Sequence, residues 1–456
     1  MRIWIAGASI ALFVLAWVAS SSLQPRREIG TLQANPPTPY IHYLPAGSLR
    51  GRVLVVHGLD SSKEIMQIMS AALADGGFEV YNIDLPGHSE SPVGFEAALA
   101  KETIRNVLAQ IGPNSFVLGH SLGAGLLLDL AEDQHFSTMV LLSPPPTPIS
   151  EIQADRVLLI TGAYDVGRVR AFAPLLTDIG SPRIEWWSLA WTAHSSALFN
   201  PVHVRRIVDW LGGDGARVQT TARLLALVGM LVSGIALGIA LLPGSRIEPQ
   251  PVPLPATLVR YIVACAVAIL ILKLIVPLSW LRLFATDYLI SFLFLAGLAA
   301  WIQKVRWPRT NFRSTATAVG AAVFVIVVLG WIAGSRVLNM SLSDGRWWRF
   351  PCIAAAGLPL FFVDEMVIRK IHPRWKSIAL AILTRVLLWA FLVTGVLLLN
   401  RSDAFLVLIA HLIVFFWIAL WFGAHVVHRH TQDPFAAALF AALVQGWAFA
   451  AWFVVR

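Results

Sequence analysis

Long apolar segments constrain this chain more than any other feature of its sequence. A helix of about 20 apolar residues crosses the roughly 30 Å of hydrocarbon in a bilayer, and nine runs approach that length. The first covers about Ile3 to Ser20. The other eight follow one another later in the chain, at roughly 224–242, 256–276, 283–302, 315–334, 350–368, 377–399, 404–424 and 435–455. These runs predict an N-terminal anchor (residues 1–24) and an all-α polytopic transmembrane domain of eight helices (residues 217–456).

The scarcity of charge supports a membrane protein. Of the 456 residues, 57% are hydrophobic and only 13% charged, whereas soluble domains carry about a quarter charged residues. This composition excludes an ordinary cytosolic enzyme, a disordered chain and a nucleic-acid-binding protein, despite 35 Lys and Arg against 26 Asp and Glu. Both cysteines, Cys265 and Cys352, lie in apolar runs, which excludes a disulfide scaffold or a cysteine-built zinc site.

Basic loops give the predicted orientation in the cell membrane. Two loops, 304–313 and 369–376, concentrate Lys and Arg on the same side of the predicted spans, and such loops favour the cytoplasm. The segment between the first two spans is then extracytoplasmic. Arg26 and Arg27 oppose this orientation, although they border a large domain where loop charge has less influence. Val18-Ala19-Ser20 resembles a cleavage site, so a cleaved signal peptide is the alternative to an uncleaved anchor.

The segment at 25–216 has the composition of a soluble domain in which short strands alternate with helices. Strands are predicted at 40–43, 52–56, 78–83, 115–118, 139–142, 157–160 and 184–188, and helices at 62–75, 95–111, 122–131 and 201–211. Short apolar strands that alternate with helices predict a mostly parallel sheet covered by helices on both faces.

A G-x-S-x-G motif, Gly119-His120-Ser121-Leu122-Gly123, lies directly between a predicted strand and a predicted helix. This placement suits a serine nucleophile on a tight strand-to-helix turn. The two glycines allow the neighbouring elements to approach closely, and the helix N-terminus supplies backbone N–H groups where an oxyanion would form. A G-x-S-x-G pattern alone is weak evidence for a nucleophile, because it also arises by chance. Its position between a predicted strand and a predicted helix makes the evidence stronger.

Further polar residues follow other strands in a suggestive order. His57-Gly58-Leu59 follows the strand at 52–56, Asp165 follows the strand at 157–160, and His194 follows the strand at 184–188. The order Ser, Asp, His is the order of the triad in α/β-hydrolases. Asp60 and Asp84 are rival acids, but both precede Ser121 in the chain.

Residues from about 50 to 212 therefore resemble the α/β-hydrolase family, and in particular serine ester hydrolases of the monoacylglycerol-lipase-like and dienelactone-hydrolase-like kind. The resemblance implies Ser121 as nucleophile, His194 as general base and then acid, and Asp165 as the group that orients His194. It implies the backbone N–H groups of Leu59 and Leu122 as oxyanion donors. His57, Gly58 and His120 are substrate-pocket candidates, although the histidines also suit a loop-shaping role.

The chain departs from this family between the strands at 139–142 and 157–160. Only about fourteen residues connect them, where many relatives carry a helical cap domain, so we expect an α/β hydrolase with no cap domain. No metal and no organic cofactor is implied. The capless domain and the eight later spans together suggest that the substrate comes from the lipid phase.

Ionisable residues also occur within or beside the predicted spans, where they are costly and often functional. Arg385 lies deep in its span, and pairing with Asp364 or Glu365 would neutralise it. His425, His428 and His430 invite a metal site, but their position at a span end favours a solvated loop.

These observations predict a membrane-embedded serine ester hydrolase that forms an acyl-enzyme and acts on an ester or lipid-like substrate outside the cytoplasmic membrane. Its expected partners are an apolar or lipid-like ester and membrane lipids, with no nucleic acid. Two alternatives stay open: an acyltransferase on the same triad, and a transporter or membrane scaffold whose hydrolase-like domain only senses.

Overall fold

The chain forms two compact units in a computed structural model. The sheet unit comprises Ala11–Val232, Gly330–Ser341 and Val454–Arg456, and the helical unit comprises Met1–Ile10, Ser233–Leu329 and Leu342–Phe453. The sheet unit therefore includes two short segments from the far end of the chain. The structure describes residues 2–112, 115–178, 184–248, 253–275, 278–302, 310–334, 336–337, 339–343, 345–399 and 405–455, with the backbone alone at 333, 408, 410 and 411.

The sheet unit is built on eight strands. They are β1 Arg27–Leu32, β2 Thr38–Tyr43, β3 Gly51–Val56, β4 Phe78–Ile83, β5 Phe116–His120, β6 Phe136–Leu142, β7 Ala154–Gly162 and β8 Ile184–Leu189. Their order in the sheet is β1-β2-β4-β3-β5-β6-β7-β8. The pairs β1/β2 and β2/β4 are antiparallel, and the other five pairs are parallel. The loops that follow β3, β5, β6, β7 and β8 consequently meet at one edge of the sheet.

Helices cover both faces of this sheet, because successive strand side chains point to opposite faces. The five covering helices are α2 Gln67–Asp75, α3 Ala97–Ile111, α4 Leu122–Leu130, α5 Gly167–Thr177 and α6 Pro201–Trp210. Val53 and Val55 face α2 and α6, and Leu54 and Val56 face α3, α4 and α5. The central strands β3, β5, β6 and β7 are largely buried on both sides, which explains their nearly continuous apolar sequences.

Two elements of the sheet unit differ from the sequence-based expectation. The sequence predicted a single strand, at 40–43, before residue 52, and this was wrong, because β1 pairs with β2 along six residues. None of the six residues of β1 is buried, so this edge strand has neither the continuous apolar run of a central strand nor a clear apolar alternation, and Gly30 interrupts it further. Helix α5 was not predicted, because Gly167 and Pro174 obscure its helical period.

Nine apolar helices occur among the described residues outside the sheet and its covering helices. They are α1 Arg2–Ser22, α7 Thr220–Leu241, α8 Leu254–Ile275, α9 Thr286–Ile302, α10 Phe312–Ala333, α11 Arg349–Val363, α12 Arg374–Leu399, α13 Phe405–Thr431 and α14 Pro434–Trp452. Eight of these helices in the described chain are long enough to cross a membrane. Helix α11 reaches that length because a π-helical turn, Asp364–Ile368, extends it. Helix α9 is shorter, at 17 residues. The basic residues at 304–309 lie outside the described residues.

Buried ion pairs neutralise several of the charges in the apolar helices. Arg385 contacts Asp364, which also accepts the hydroxyl hydrogen of Tyr261. Glu365 binds Arg369 at 2.6 Å and the Nδ1 atom of His428 at 2.7 Å. The predicted pairing of Arg385 is therefore confirmed. An unpaired charge at such a buried position would be strongly destabilising.

The solvated loop expected for the three histidines near residue 428 was wrong. Helix α13 continues to Thr431, and the His428 side chain is buried against Glu365. Arg429 and His430 hydrogen-bond backbone carbonyls between Pro243 and Ser245, which satisfies these polar groups at the helix end. Within the described part of the chain, no group of three or more His, Cys, Asp or Glu residues could hold a metal ion.

Candidate active site

Ser121 occupies a strained turn between β5 and α4. Its backbone has φ 50° and ψ −117°, a region that residues other than glycine rarely adopt. The Ser121 N–H donates to the Leu142 carbonyl of the neighbouring strand at 2.8 Å, which holds the turn in place. The side chain is thereby presented at the carboxyl edge of the sheet, at the N-terminus of α4.

Both glycines of the motif are required by close packing. A Cβ atom at Gly119 would lie 2.6 Å from the Ala124 nitrogen, and one at Gly123 would lie 2.5 Å from the Val56 carbonyl oxygen. The first contact is within the turn and the second is between α4 and the end of β3. Larger residues would push α4 away from the sheet and move Ser121 with it.

Three side chains from three loops form a continuous hydrogen-bonded chain. The His194 Nε2 atom lies 2.9 Å from the Ser121 Oγ atom, and the His194 Nδ1 atom lies 2.7 Å from the Asp165 Oδ1 atom. Ser121 follows β5, Asp165 follows β7 and His194 follows β8. The parallel sheet brings them together because all three strands end at the same edge.

A fourth residue, Ser143, holds the acid and was not identified from the sequence. Its hydroxyl donates to the Asp165 Oδ2 atom at 2.5 Å and also lies 3.1 Å from the His194 carbonyl oxygen. The Val166 N–H donates to the Asp165 Oδ1 atom at 2.7 Å. Ser143 directly follows β6, so its position after a parallel strand was the signal that could have found it.

The hydrogen bonds around Asp165 keep its carboxylate ionised. Burial by itself would raise the pKa of Asp165, but the hydrogen bond and charge of His194, with the hydrogen bonds from Ser143 and Val166, outweigh it and hold the pKa below its usual value. An ionised carboxylate beside Nδ1 favours the tautomer in which the His194 Nε2 atom is free to accept a proton.

The two backbone amides predicted as oxyanion donors are not used by other backbone groups of the described chain. Neither the Leu59 N–H nor the Leu122 N–H donates to another backbone group among the described residues. Gly58 lets the Leu59 loop approach the serine, because a Cβ atom at Gly58 would lie 3.1 Å from the Ser121 Cβ atom and 3.0 Å from the His120 Nδ1 atom.

His57 and His120 are buried and support the loops around Ser121. The His57 Nδ1 atom lies 2.7 Å from the Gly58 carbonyl oxygen, and its Nε2 atom accepts from the Leu85 N–H at 3.0 Å. The His120 Nε2 atom lies 3.2 Å from the His194 carbonyl oxygen. Burial lowers the pKa of both residues, to about 3 for His120, so both rings stay neutral at ordinary pH.

The two rival acids, Asp84 and Asp60, bind groups other than His194. Asp84 accepts hydrogen bonds from the Lys63 N–H at 2.8 Å and from the Lys63 Nζ atom at 2.6 Å. The Asp60 carboxylate accepts from the Val454 N–H at 2.8 Å. Of the three candidates, Asp165 is the one whose carboxylate contacts His194 in the described structure.

Residues from the far end of the chain support the loop that follows β4. Val455 donates to the Gly87 carbonyl at 2.9 Å and accepts from the Phe95 N–H at 3.1 Å. Asn339 donates to the Ser89 hydroxyl at 2.6 Å. The loop from Asp84 to Ser91 adjoins His57 and the Leu59 loop, so these distant segments stabilise the surroundings of the candidate oxyanion hole.

Two exposed aromatic side chains flank the triad. Tyr164, next to Asp165, is 61% exposed, and Trp191, three residues before His194, is 86% exposed. Their ring centroids lie 5.8 Å apart, and the Tyr164 N–H donates to the Thr192 carbonyl at 2.9 Å. The two loops that carry the acid and the histidine therefore present a joint aromatic surface, which we call the aromatic rim.

Comparison with known proteins identifies the fold of the sheet unit. Residues 51–174 match the family model described as the alpha/beta hydrolase fold. This match covers a little over a quarter of the chain. No curated protein matches the sequence. The chain thus contains an α/β-hydrolase sheet, mostly parallel, followed by a helical region with long apolar helices, which confirms the predicted fold class.

Solved structures of several hydrolases are similar to part of this chain at low sequence identity. A hydrolase from Thermoplasma acidophilum is 18% identical over 41% of this chain and 98% of its own, with a TM-score of 0.37. A monoacylglycerol lipase from Paleococcus ferrophilus is 19% identical over 42% of this chain and 99% of its own, with a TM-score of 0.35. A dienelactone hydrolase from Anabaena variabilis is 19% identical over 41% and 98%, with a TM-score of 0.36.

Proposed function

We propose that this protein is a membrane-anchored serine hydrolase that cleaves a carboxylic ester or thioester through an acyl-enzyme. The observation that carries the proposal is the hydrogen-bonded chain from Ser121 through His194 to Asp165. Distances of 2.9 and 2.7 Å along this chain support Ser121 as nucleophile, His194 as base and Asp165 as orienting acid.

The first half of the reaction acylates the serine. The His194 Nε2 atom takes the Ser121 hydroxyl proton while the Oγ atom attacks the substrate carbonyl carbon. The N–H groups of Leu59 and Leu122 stabilise the negative charge that develops on the carbonyl oxygen. The protonated His194 then gives its proton to the departing alkoxide or thiolate, and the acyl group stays on Ser121.

The second half releases the acyl group. His194 removes a proton from a water molecule, which attacks the acyl carbonyl and forms a second tetrahedral intermediate. Collapse of this intermediate returns the proton from His194 to the Ser121 Oγ atom and frees a carboxylic acid. In both halves, Asp165 stabilises the positive charge that His194 carries between accepting a proton and giving it up.

An apolar or lipid-like acyl chain suits the surroundings of the triad. The connection between β6 and β7, residues 143–153, contains no helix, so no helical cap inserted there covers the serine. The aromatic rim beside the triad is exposed, and Tyr and Trp side chains favour membrane interfaces and apolar ligands. The long apolar helices would hold the enzyme in a membrane, and such a substrate would come from that membrane.

A fluorophosphonate probe, which phosphonylates activated serines, tests the proposed nucleophile. We expect labelling of the full-length wild-type protein and none of Ser121→Ala or His194→Ala. Ser195→Ala is the matched control, since Ser195 is adjacent to His194 in the chain but outside the hydrogen-bonded triad. The same proteins are assayed for hydrolysis of a short-chain ester.

Ester hydrolysis retained within tenfold in Ser121→Ala, with unchanged labelling, would contradict the proposal. Triad residues act as a unit, so the double variant should be little worse than either single variant. A strictly additive loss would argue that Ser121 and His194 act separately.

The predicted side of the membrane is tested by cysteine labelling in intact cells. In a protein with Cys265 and Cys352 replaced by Ala, we place single cysteines at Ala97, which is exposed in the sheet unit, and at Thr310, which is exposed before α10. An impermeant reagent should label the first and not the second. The reverse pattern would place the hydrolase in the cytoplasm.

A further inference from the structure

A basic cavity lies in the helical unit. Its volume is about 330 Å³, and it lies where the loop after α7, the turn before α12 and the last turns of α13 meet. The cavity opens to the surface at exposed side chains that include Arg246 and Arg374, and ends at the buried residues Arg369 and Trp421. It plays no part in the proposed hydrolysis.

The lining of this cavity is cationic, and the described residues contribute no carboxylate to it. Five basic side chains contribute to it, namely Arg246, Arg369, Lys370, Arg374 and Arg429. Glu365 pairs with Arg369 from outside the lining and offsets one of these charges. Four positive charges then remain around one concavity, and a cleft lined by charge of one sign attracts ions of the opposite sign.

Arg369, at the closed end of the cavity, has one hydrogen-bond donor group unused. Its Nε and Nη2 atoms donate to Glu365 at 2.9 and 2.6 Å, and Nη2 also donates to the Trp421 carbonyl at 2.7 Å. Its Nη1 atom is buried and has no hydrogen-bond partner in the described structure. The guanidinium group lies 3.9 Å from the centre of the Trp421 ring, which fixes its plane.

His425 supplies a second unused donor to the same cavity. Its Nε2 atom lies 2.8 Å from the Arg374 Nη2 atom, and because Arg374 can only donate, Nε2 must accept. The ring proton therefore lies on Nδ1, which is buried and has no partner among the described residues. The Trp421 Nε1 atom, on the same lining, is a third buried donor without a partner in the described structure. Native structures rarely leave buried donors unpaired, so three of them beside one cavity indicate a missing acceptor.

We propose that this cavity binds a phosphate group, with phosphate oxygens accepting from the Arg369 Nη1 and His425 Nδ1 atoms. Arginine is favoured for phosphate because its planar fork of donors matches the oxygens of the anion. Arg246 and Arg374 at the mouth add long-range attraction. Basic pockets between transmembrane helices bind the headgroups of anionic lipids, and a soluble phosphate ester offers the same chemistry.

Native mass spectrometry of the detergent-solubilised full-length protein tests this proposal. The protein is titrated with phosphatidic acid, with pyrophosphate, and with phosphatidylcholine as a zwitterionic lipid. We compare the wild type with Arg246→Gln/Arg374→Gln, which removes two exposed charges from the mouth of the cavity. The matched control, Lys273→Gln/Arg313→Gln, removes two exposed charges outside it.

We expect saturable binding of phosphatidic acid or pyrophosphate, weakened about 10- to 30-fold in the cavity variant and unchanged in the control, since each cation near a membrane surface contributes about 1 kcal/mol. Binding of phosphatidic acid alone identifies a lipid headgroup as the source, and binding of pyrophosphate alone identifies a soluble phosphate. Binding of neither, or an equal loss in the cavity and control variants, would overturn the proposal. Esterase activity is expected to be the same in all three proteins.

Discussion

At the scale of single residues, Ser143 holds the carboxylate of the proposed acid, Asp165, through a hydrogen bond to its Oδ2 atom. We expect Ser143→Ala to lower kcat by about tenfold or more, because a hydrogen bond to a charged group contributes about 1.5–3 kcal/mol. Without the donor on Oδ2, Asp165 would hold His194 less firmly. Ester hydrolysis by the purified full-length protein measures the effect.

Ser137→Ala is the matched control for Ser143→Ala. Ser137 lies in β6 of the same sheet unit, and its buried hydroxyl has no hydrogen-bond partner in the described structure. Its removal should leave kcat within about twofold. Equal activity of Ser143→Ala and the wild type would show that Asp165 is positioned without Ser143.

His120 makes the stability of the protein depend on pH. Burial lowers its pKa to about 3, whereas a histidine in the unfolded chain has a pKa near 6.5. Between these values the unfolded chain binds the extra proton, so the stability is full above about pH 6.5 and falls as the pH is lowered. The loss from this one group is at most about 2 kcal/mol at pH 5.

The drop in Tm between pH 7.5 and pH 5 should therefore be smaller in His120→Gln than in the wild type. His135→Gln is the control, because His135 is exposed and lies in the same unit. An equal drop in all three proteins would mean that His120 takes up a proton in the folded state.

Single residues also show where sequence reasoning ends. The positions of Ser121, Asp165 and His194 were accessible because each follows a strand in a fixed order, and the structure brings all three together. The position of Ser143 after β6 indicated the same edge of the sheet, but its pairing with Asp165 was not accessible, because that position does not tell which side chain the hydroxyl will contact. The unused donors of Arg369 and His425 likewise depend on contacts between three separate elements.

At the scale of elements, the approach of α4 to the sheet positions the serine. Gly123→Ala should destabilise the protein by about 1–3 kcal/mol and lower ester hydrolysis more than tenfold, because a Cβ atom would lie 2.5 Å from the Val56 oxygen and 2.6 Å from the His57 oxygen. Both atoms are backbone and cannot rotate away. Thermal unfolding and activity of the same preparation measure the two effects.

Gly167→Ala is the matched control for this substitution. Gly167 lies in the first turn of α5, and a Cβ atom there would meet nothing within 4 Å. Its Tm should be unchanged or slightly higher, since alanine favours the helix. A Gly123→Ala protein as stable and active as Gly167→Ala would contradict the packing argument.

Elements were predictable where burial was strong. The strands at the sheet centre have apolar side chains on both faces, and their predicted positions agree with the structure to within a few residues. Strand β1 and helix α5 were missed, because an exposed edge and an internal proline weaken the periodic signal. Helix α13 was predicted too short, because its last turns are held by contacts with the loop after α7.

At the scale of the whole molecule, the sheet unit depends on segments that are far apart in the chain. The hydrogen bonds of Val455 with Gly87 and Phe95 join residues separated by more than half of the sequence. A sequence pattern reports neighbours in the chain, so no local signal reveals such a contact. It also means that a fragment ending near residue 213 would lack part of its own unit, and tests of function require the full-length protein.

The aromatic rim should set the preference of the whole protein for long acyl chains. If the substrate comes from the lipid phase, we expect its chain to contact the exposed side chains of Tyr164 and Trp191, which lie in the loops of Asp165 and His194. Each methylene kept out of water contributes about 0.8 kcal/mol, so the loss of two such contacts would cost about tenfold in kcat/KM.

We therefore expect Trp191→Ala to lower kcat/KM about tenfold for a long-chain ester presented in mixed micelles, and to leave hydrolysis of a short-chain ester nearly unchanged. Leu49→Ala, which removes an exposed apolar side chain from another loop of the sheet unit, is the control and should change neither. Equal losses on both esters would instead indicate that Trp191 positions His194, since the two residues share a loop. If Trp191→Ala retained full activity on the long-chain ester, the acyl chain would have to reach Ser121 by a route that avoids the aromatic rim.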